Sequence, residues 1–391
     1  MLDAIVAGAG PAGSQTALQL ARYGHSVLVL DYRSHPGNKL CTGIVGRQCF
    51  EQFGIPADLV LHEACGASFV TGTRCVVMAR PGPQAYVIDR VEYVRRLAER
   101  AAQNGAEIAT GYVVSGVDRR PDHVEVTAQS VAGGGRKIKV RARCIVVASG
   151  AGSRVGAMAG LLPARKLAFA SQVTVRAPAL DQVKVFLPGI VPAGHFGWLV
   201  PQGDGLAKAG VMGRARDRTV LNEFIGYCAT TGLIAPAGEN AATWPVPVGQ
   251  ARRTFASRAV LIGDVAGQVK PATGGGIYYS LLSADLAART LHTALQMDDL
   301  SAAFLQQYEA DWRRTLGREL RVGQVARSIF ERLDSRAVDR LLQLTSATGL
   351  LDAHGSFDWH ADLIARWLGT GLFESVLAPL RTVGGAFAGK A

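Results

Sequence analysis

Long apolar runs are missing from this chain. No stretch of about 20 residues escapes interruption by charge, glycine or proline, so no membrane-spanning helix is expected anywhere in its 391 residues. A basic segment ahead of an apolar core is missing too. The apolar start runs straight into a glycine turn, which argues against a secretory leader. Cysteine is scarce: six residues, at 41, 49, 65, 75, 144 and 228, with no CxxC pair and no metal-ligand spacing. Reduced thiols, a cytoplasmic location and no metal centre are therefore expected. Acidic residues are fewer than basic ones, 31 against 42, for a net charge of +11. This balance favours acidic partners: an anionic membrane surface, a diphosphate substrate or an acidic electron carrier. A scattered basic surface without function accounts for it equally well. No aromatic–basic cluster and no nucleic-acid motif is present, so nucleic acid is not expected as a partner. No Ser–His–Asp arrangement is visible either.

What is present begins with glycine. Ile5-Val6-Ala7-Gly8-Ala9-Gly10-Pro11-Ala12-Gly13 is a buried parallel strand followed by a GxGxxG turn. Gly8 permits the tight turn, Gly10 lets backbone approach a pyrophosphate, and Gly13 lets the next helix pack close to the strand. A helix from Pro11 to Tyr23 would aim its free N–H groups and positive end at phosphates. Gly24 ends it, Ser26 to Leu30 form the next strand, and Asp31 follows, eighteen residues after Gly13. A carboxylate there binds ribose hydroxyls. The GxGxxG turn alone is a weak signal. A second half lies far downstream, where the strand Val260 to Ile262 delivers Gly263-Asp264. Pro271-Ala272-Thr273-Gly274-Gly275-Gly276-Ile277 then opens a long helix. The pairing points to a flavin dinucleotide held at both ends.

Between these halves the chain changes character. A helix is expected over 90–104. Strands follow near 106–109, 112–118, 123–128 and 136–142, with a glycine-rich tip at 132–135, and Cys144 to Ala148 reads as a separate apolar strand. Residues 168–213 alternate in period two, as an antiparallel sheet does. The expected fold is α/β: a Rossmann-type FAD-binding domain, an inserted antiparallel β-sheet substrate domain and a helical C-terminal region. The FAD domain is discontinuous, 1–160 plus 255–295. The insertion takes 161–254, with 60–90 contributing, and 296–391 is helical.

These residues resemble the hydroxybenzoate-hydroxylase-like FAD superfamily, and within it the geranylgeranyl reductase family. Lys39-Leu40-Cys41-Thr42-Gly43 is similar to that family's Lys-x-Cys-x-Gly loop beside the flavin. Phe196-Gly197-Trp198-Leu199-Val200-Pro201 is similar to its Tyr-x-Trp-x-Phe-Pro substrate motif, and Pro271 to Ser280 to its Pro-x-x-Gly-Gly-Gly-Ile-x-x-Ala pattern. The likeness covers residues 1–290. It departs at Ser149-Gly150, where the superfamily carries Asp-Gly, and at Phe196, Val200 and Pro192.

The resemblance implies FAD held by Gly8, Gly10, Pro11, Ala12, Gly13, Asp31, Tyr32, Lys39, Cys41, Arg90 and Val114. At the distal half it implies Gly263, Asp264, Gly274, Gly275, Gly276 and Ile277. Asp264 would accept hydrogen bonds from ribityl hydroxyls. The triple-glycine turn would face the N1/O2 edge of the ring. Arg90 reads either as the arginine that reaches FAD or as an exposed residue flanking its helix. Cys41 is the candidate catalytic residue, a thiol able to give a proton during C=C reduction, with Lys39 two residues away to bias it. A small buried hydrophobe is its plainer reading. Phe196 and Trp198 share one strand face and with Pro201 would wall a lipophilic, prenyl-type substrate.

The implied activity is FAD-dependent reduction of prenyl double bonds. A flavin monooxygenase or halogenase is one alternative, and an electron-transfer flavoprotein serving a quinone is another. With one dinucleotide turn, electrons would come from transiently docked NAD(P)H or an acidic ferredoxin-like carrier. Leu363, Ile364, Trp367, Leu368, Leu372, Phe373, Val376 and Leu377 form an amphipathic stripe. It suits either peripheral contact with the inner membrane face or the protein's own core.

Overall fold

The computed structural model describes residues 1–37, 39, 41–132, 135–216, 218–235, 241–348 and 356–369, with side chains to 366. Strand β1 (Leu2–Ala7) leads through the glycine turn into helix α1 (Pro11–Arg22) and then strand β2 (Val27–Asp31). In the first sheet β1 lies between β2 and Lys137–Val147, parallel to both. Glu107–Thr110 extends the sheet beyond β2, and Ala259–Leu261 and Phe255–Ala256 extend it on the other side. Crossover helices cover this sheet, so β2 is buried at every position and its sequence shows no alternation. The parallel order sends the C-terminal ends of β1, β2 and Ala259–Leu261 to one edge, the place where open α/β sheets bind ligands.

One expectation is corrected here. The two strands expected at 136–142 and 144–148 are a single strand, Lys137–Val147. Its first half pairs antiparallel with Val124–Ser130 and alternates between exposed and half-buried positions; its second half pairs with β1 and is buried. Hairpin patterning gives way to buried-sheet patterning within one strand, and the sequence signal breaks where the burial changes. Part of the glycine tip, 133–134, lies outside the described residues.

A second sheet has seven strands, in the order Ala242–Pro247, Leu167–Arg176, Leu206–Gly213, Phe196–Pro201, Val183–Phe186, Gly66–Val70 and Cys75–Ala79. Its pairings are antiparallel except one, the parallel ladder between Val183–Phe186 and Gly66–Val70. The sheet is therefore mixed at the junction where the segment before residue 90 joins it. Three short strands, Ile44–Gly46, Ala85–Ile88 and Val60–Ala64, form a third sheet whose side chains pack into the cores of both others.

The helix Ile277–Gln296 packs on α1 through small residues, Ala284, Ala287 and Ala288, all fully buried. The 29-residue helix Ala302–Phe330 lies outside it. Two fully buried side chains fix that helix to the first sheet. Trp312 Nε1 donates to Thr254 Oγ1 at 2.8 Å, and Tyr308 Oη donates to the Leu261 carbonyl at 2.9 Å. Among the described residues, no helix is long and apolar enough to cross a membrane.

Candidate active site

The glycine turn is built by close approach. Gly8 sits at φ +111°, the left-handed half of backbone space, and a Cβ on Gly13 would collide with the Gly8 carbonyl oxygen. A Cβ on Gly10 would meet nothing within 4 Å. Gly13 thus serves packing, and Gly10 leaves open space above the N-terminus of α1. Asp31, buried at the end of β2, holds this turn from the side. Its Oδ2 accepts the Ala9 N–H at 2.7 Å and its Oδ1 accepts the Arg33 N–H at 2.8 Å. A carboxylate has about four acceptor positions, so capacity for ribose hydroxyls remains. Tyr32 is half exposed under the Arg33 guanidinium, 4.3 Å from its ring centre.

The distal half is held as firmly. Gly263 adopts φ +71°, and its N–H donates to Gln268 Oε1 at 2.7 Å. Gln268 Nε2 donates in turn to Tyr308 Oη at 2.9 Å. This fully buried chain orients the strand end that carries Asp264. Lys39 Nζ reaches Asp264 Oδ2 at 2.6 Å, joining the loop after β2 to the distal Gly-Asp. Gly274 takes φ +78°, and Gly276 precedes the first turn of Ile277–Gln296, whose free N–H groups open toward the same space.

Cys41 is partly exposed, and its Sγ accepts the Gly43 N–H at 3.5 Å. Lys39, two residues from this thiol, is paired with Asp264. A second cation, Arg90, interacts with Cys41 as well. Arg90 begins the helix Arg90–Gln103 and is 7% exposed, so it is a buried residue and not a solvent-exposed flank. Its Nη1 donates to the Gly37 and Lys39 carbonyls, and its Nε is buried without a partner. Burial pushes the Arg90 guanidinium below its ordinary range, while Cys41 and Asp264 pull it back up.

All of this opens on one cavity of about 1110 Å³. Gly8, Gly10, Pro11, Ala12, Asp31, Tyr32 and Val114 line its nucleotide end. Lys39, Cys41, Arg90, Asp264, Gly274, Gly275, Gly276 and Ile277 line its middle. Phe196 and Trp198, ring centres 5.8 Å apart, line the wall made by the second sheet. Gly13, Gly263 and Pro201 are not on the lining. Pro201 faces away because side chains alternate along a strand; Val200, in step with 196 and 198, takes the wall. The cavity exceeds the roughly 300–1,000 Å³ of ordinary ligand sites. It suits an FAD: open space at Gly10, an unpartnered Arg90 Nε, helix N-termini at both ends and a long apolar annex.

Several lining residues carried no sequence signal. Gln172, buried between Trp198 and Cys41, is one. Lys270 is another. It is 5% exposed, bonded to the Phe357 carbonyl, and its ammonium lies 5.5 Å from the Tyr279 ring centre and 5.0 Å from that of Phe357. Burial pushes Lys270 down to about 8, opposed by Asp358, Cys49 and Glu319. A lysine between Val269 and Pro271 looks like a loop residue until the segment 356–361 folds over it. Of the C-terminal stripe, Leu363 and Ile364 line the cavity. The side chains of Trp367 and Leu368, and residues 372, 373, 376 and 377, lie outside the described residues.

Residues 1–187 match the family described as FAD binding domain. A digeranylgeranylglycerophospholipid reductase of Methanothermobacter thermautotrophicus is 30% identical over 337 residues, 82% of this chain and 84% of that protein. A second, from Methanopyrus kandleri, is 29% identical over 371 residues, 89% and 91% of the two chains. The crystal structure of a geranylgeranyl bacteriochlorophyll reductase-like protein from Thermoplasma acidophilum superposes with a TM-score of 0.86. It is 23% identical, over 97% of this chain and 98% of that one.

Proposed function

This chain is an FAD-dependent oxidoreductase of the geranylgeranyl reductase family, and on that premise we propose that it saturates C=C bonds of a prenyl lipid, with Cys41 giving the proton. The observation that carries the reading is the continuity of one cavity from the FAD cradle, past Cys41, to the apolar wall of Phe196 and Trp198. When bound, reduced FAD supplies a hydride to one alkene carbon. The thiol proton goes to the other, so the π bond is replaced by two C–H bonds. The Gly43 N–H and the Arg90 guanidinium stand by to hold the negative charge left on Sγ, and solvent returns the proton. Asp264, paired with Lys39 through Oδ2, would keep Oδ1 to accept from ribityl hydroxyls, and the Gly274–Gly276 turn would present backbone N–H groups to the pyrimidine edge. Phe196, Trp198 and Val200 exclude water and hold the chain by apolar contact alone.

In the domain division that goes with this reading, 1–160 and 255–295 bind FAD, 161–254 with 60–90 receive the substrate, and 296–391 is the helical C-terminal region, from which Phe330, Phe357, Leu363 and Ile364 line the cavity. The reductant is NAD(P)H or an acidic carrier docking on the basic surface. The test is anaerobic incubation of dithionite-reduced protein with a panel of geranylgeranyl lipids, read by mass spectrometry. Gains of two hydrogens per double bond support the reading. Turnover that requires oxygen would assign the chain to monooxygenase or halogenase chemistry. Flavin reoxidation by a quinone without any gain in lipid mass would make it an electron carrier.

A further inference from the structure

Three adjacent strands of the second sheet carry Trp198, Gly210 and Gln172 side by side: Trp198 pairs with Gly210, and Gly210 pairs with Gln172. The middle residue has to be small. A Cβ on Gly210 would collide with the indole ring, which lies flat across that strand. The indole Nε1 therefore passes over Gly210 and donates to Gln172 Oε1 at 3.3 Å. The other end of the same amide, Nε2, donates to the Cys41 carbonyl at 3.4 Å. The amide's orientation is set by its partners, since an indole N–H can only donate and a carbonyl can only accept. Gln172 is 1% exposed, so leaving either bond unmade strands a buried polar group. A second tie supports the same loop: Gln202 Nε2 donates to the Thr42 carbonyl at 3.1 Å.

We infer that Gln172 is a positioning residue that sets the Cys41 thiol in register with the wall holding the substrate chain. Residues 41–43 belong to no strand, and the next strand begins at Ile44. The height of this loop above the alkene is fixed from the substrate side, by the row Trp198–Gly210–Gln172. Proton delivery to one carbon of a long flexible chain demands that kind of registration, and a misplacement of about 1 Å costs about a hundred-fold in rate. The inference rests on the reading of Cys41 as the proton donor.

The test uses FAD-loaded, full-length Gln172→Met, which keeps the volume and removes both hydrogen bonds. Expected are wild-type FAD content, a little-changed KM for a geranylgeranyl lipid and a kcat lowered about ten- to hundred-fold. A second readout needs no turnover: the rate of Cys41 alkylation by iodoacetamide, followed by peptide mass spectrometry with exposed Cys75 as reference. Cys41 should react several-fold faster in Gln172→Met, with Cys75 unchanged. Trp198→Phe keeps an aromatic wall and removes the indole donor together with the ring that lies over Gly210. It should raise Cys41 alkylation in the same way, and the double variant should add little to either single change. Trp198→Phe also serves if Gln172→Met fails to fold. Unchanged Cys41 alkylation overturns the inference. So does a parallel rise at Cys41 and Cys75, which would mean general loosening. Wild-type turnover by Cys41→Ala, which has no donor at this position, would instead sink the proton-donor reading, while a selective alkylation change would still establish that Gln172 holds the loop.

Discussion

Lys270 allows a prediction that can be worked through from the structure. Its ammonium is enclosed by Tyr279, Phe357 and the segment 356–361, with Asp358, Glu319, Cys49 and His360 as the titratable groups facing it. Desolvation disfavours the charged amine and outweighs the pull of Asp358, Cys49 and Glu319, so Lys270 titrates at about 8 and not at its ordinary 10.5. The unfolded chain therefore binds this proton more tightly than the folded one. Stability should rise with pH across the window from about 8 to 10.5 and be flat with respect to Lys270 outside it. At about 1.36 kcal/mol per pH unit, that window corresponds to about 3 kcal/mol. Lys270→Met removes the titration. At neutral pH it gains back the cost of burying a charge and loses a charge-assisted bond to the Phe357 carbonyl of about 1.5–3 kcal/mol, so the two proteins should be close in stability there. Urea unfolding of both proteins between pH 7.5 and 10.5 checks the reasoning. The difference between the curves should grow in favour of wild type as pH rises. Burial raises Cys49 and the buried Tyr278, Tyr279 and Tyr308 above their ordinary values; both proteins carry all four, so their own contributions are common to the two curves. Parallel curves would refute the claim that Lys270 is buried as a strained cation.

Asp264→Ala should weaken FAD retention by about 1.5–3 kcal/mol, measured by flavin release on dialysis; undiminished retention would show that the ribityl chain is held elsewhere. Cys41→Ala should keep the flavin and lose about 10²–10⁴-fold in C=C reduction, scored by anaerobic single turnover, whereas Cys49→Ala should be nearly silent in that assay. Trp198→Ala should impair lipid turnover and leave the flavin spectrum nearly unchanged; a variant that alters neither would move the substrate to another wall. Asp358→Ala should destabilise the protein by about 1 kcal/mol, because its Oδ2 accepts the Gln48 N–H at 2.9 Å and so caps the helix Arg47–Gln52 from a distant segment; calorimetry reads this directly. Flotation with anionic liposomes at low salt tests peripheral membrane contact, and a protein that stays at the bottom of the gradient has none.

The local chemistry of this protein was legible residue by residue. The GxGxxG turn, the acid at Asp31, the distal Gly263-Asp264 and the triple-glycine turn each announce themselves because backbone geometry there admits few residue types, and such constraints act over a handful of positions. The paired halves also required a chain that leaves the first sheet and returns to it. Burial by layers was not legible. Lys137–Val147 reads as two strands because its neighbours, and not its own residues, decide where alternation ends. The facing of Pro201 away from the cavity follows from strand phase, which a motif does not reveal. Tertiary structure alone decided who pairs with whom. It gave Lys39 to Asp264 and buried Arg90 against the backbone of Gly37 and Lys39. It buried Lys270 under residues nearly ninety positions away, and it set Gln172 between an indole and a cysteine loop across a strand that had to carry glycine. Each of these depends on distances between segments remote in the chain. Such distances are set by the packing of whole layers, to which no single stretch of sequence contributes more than one side.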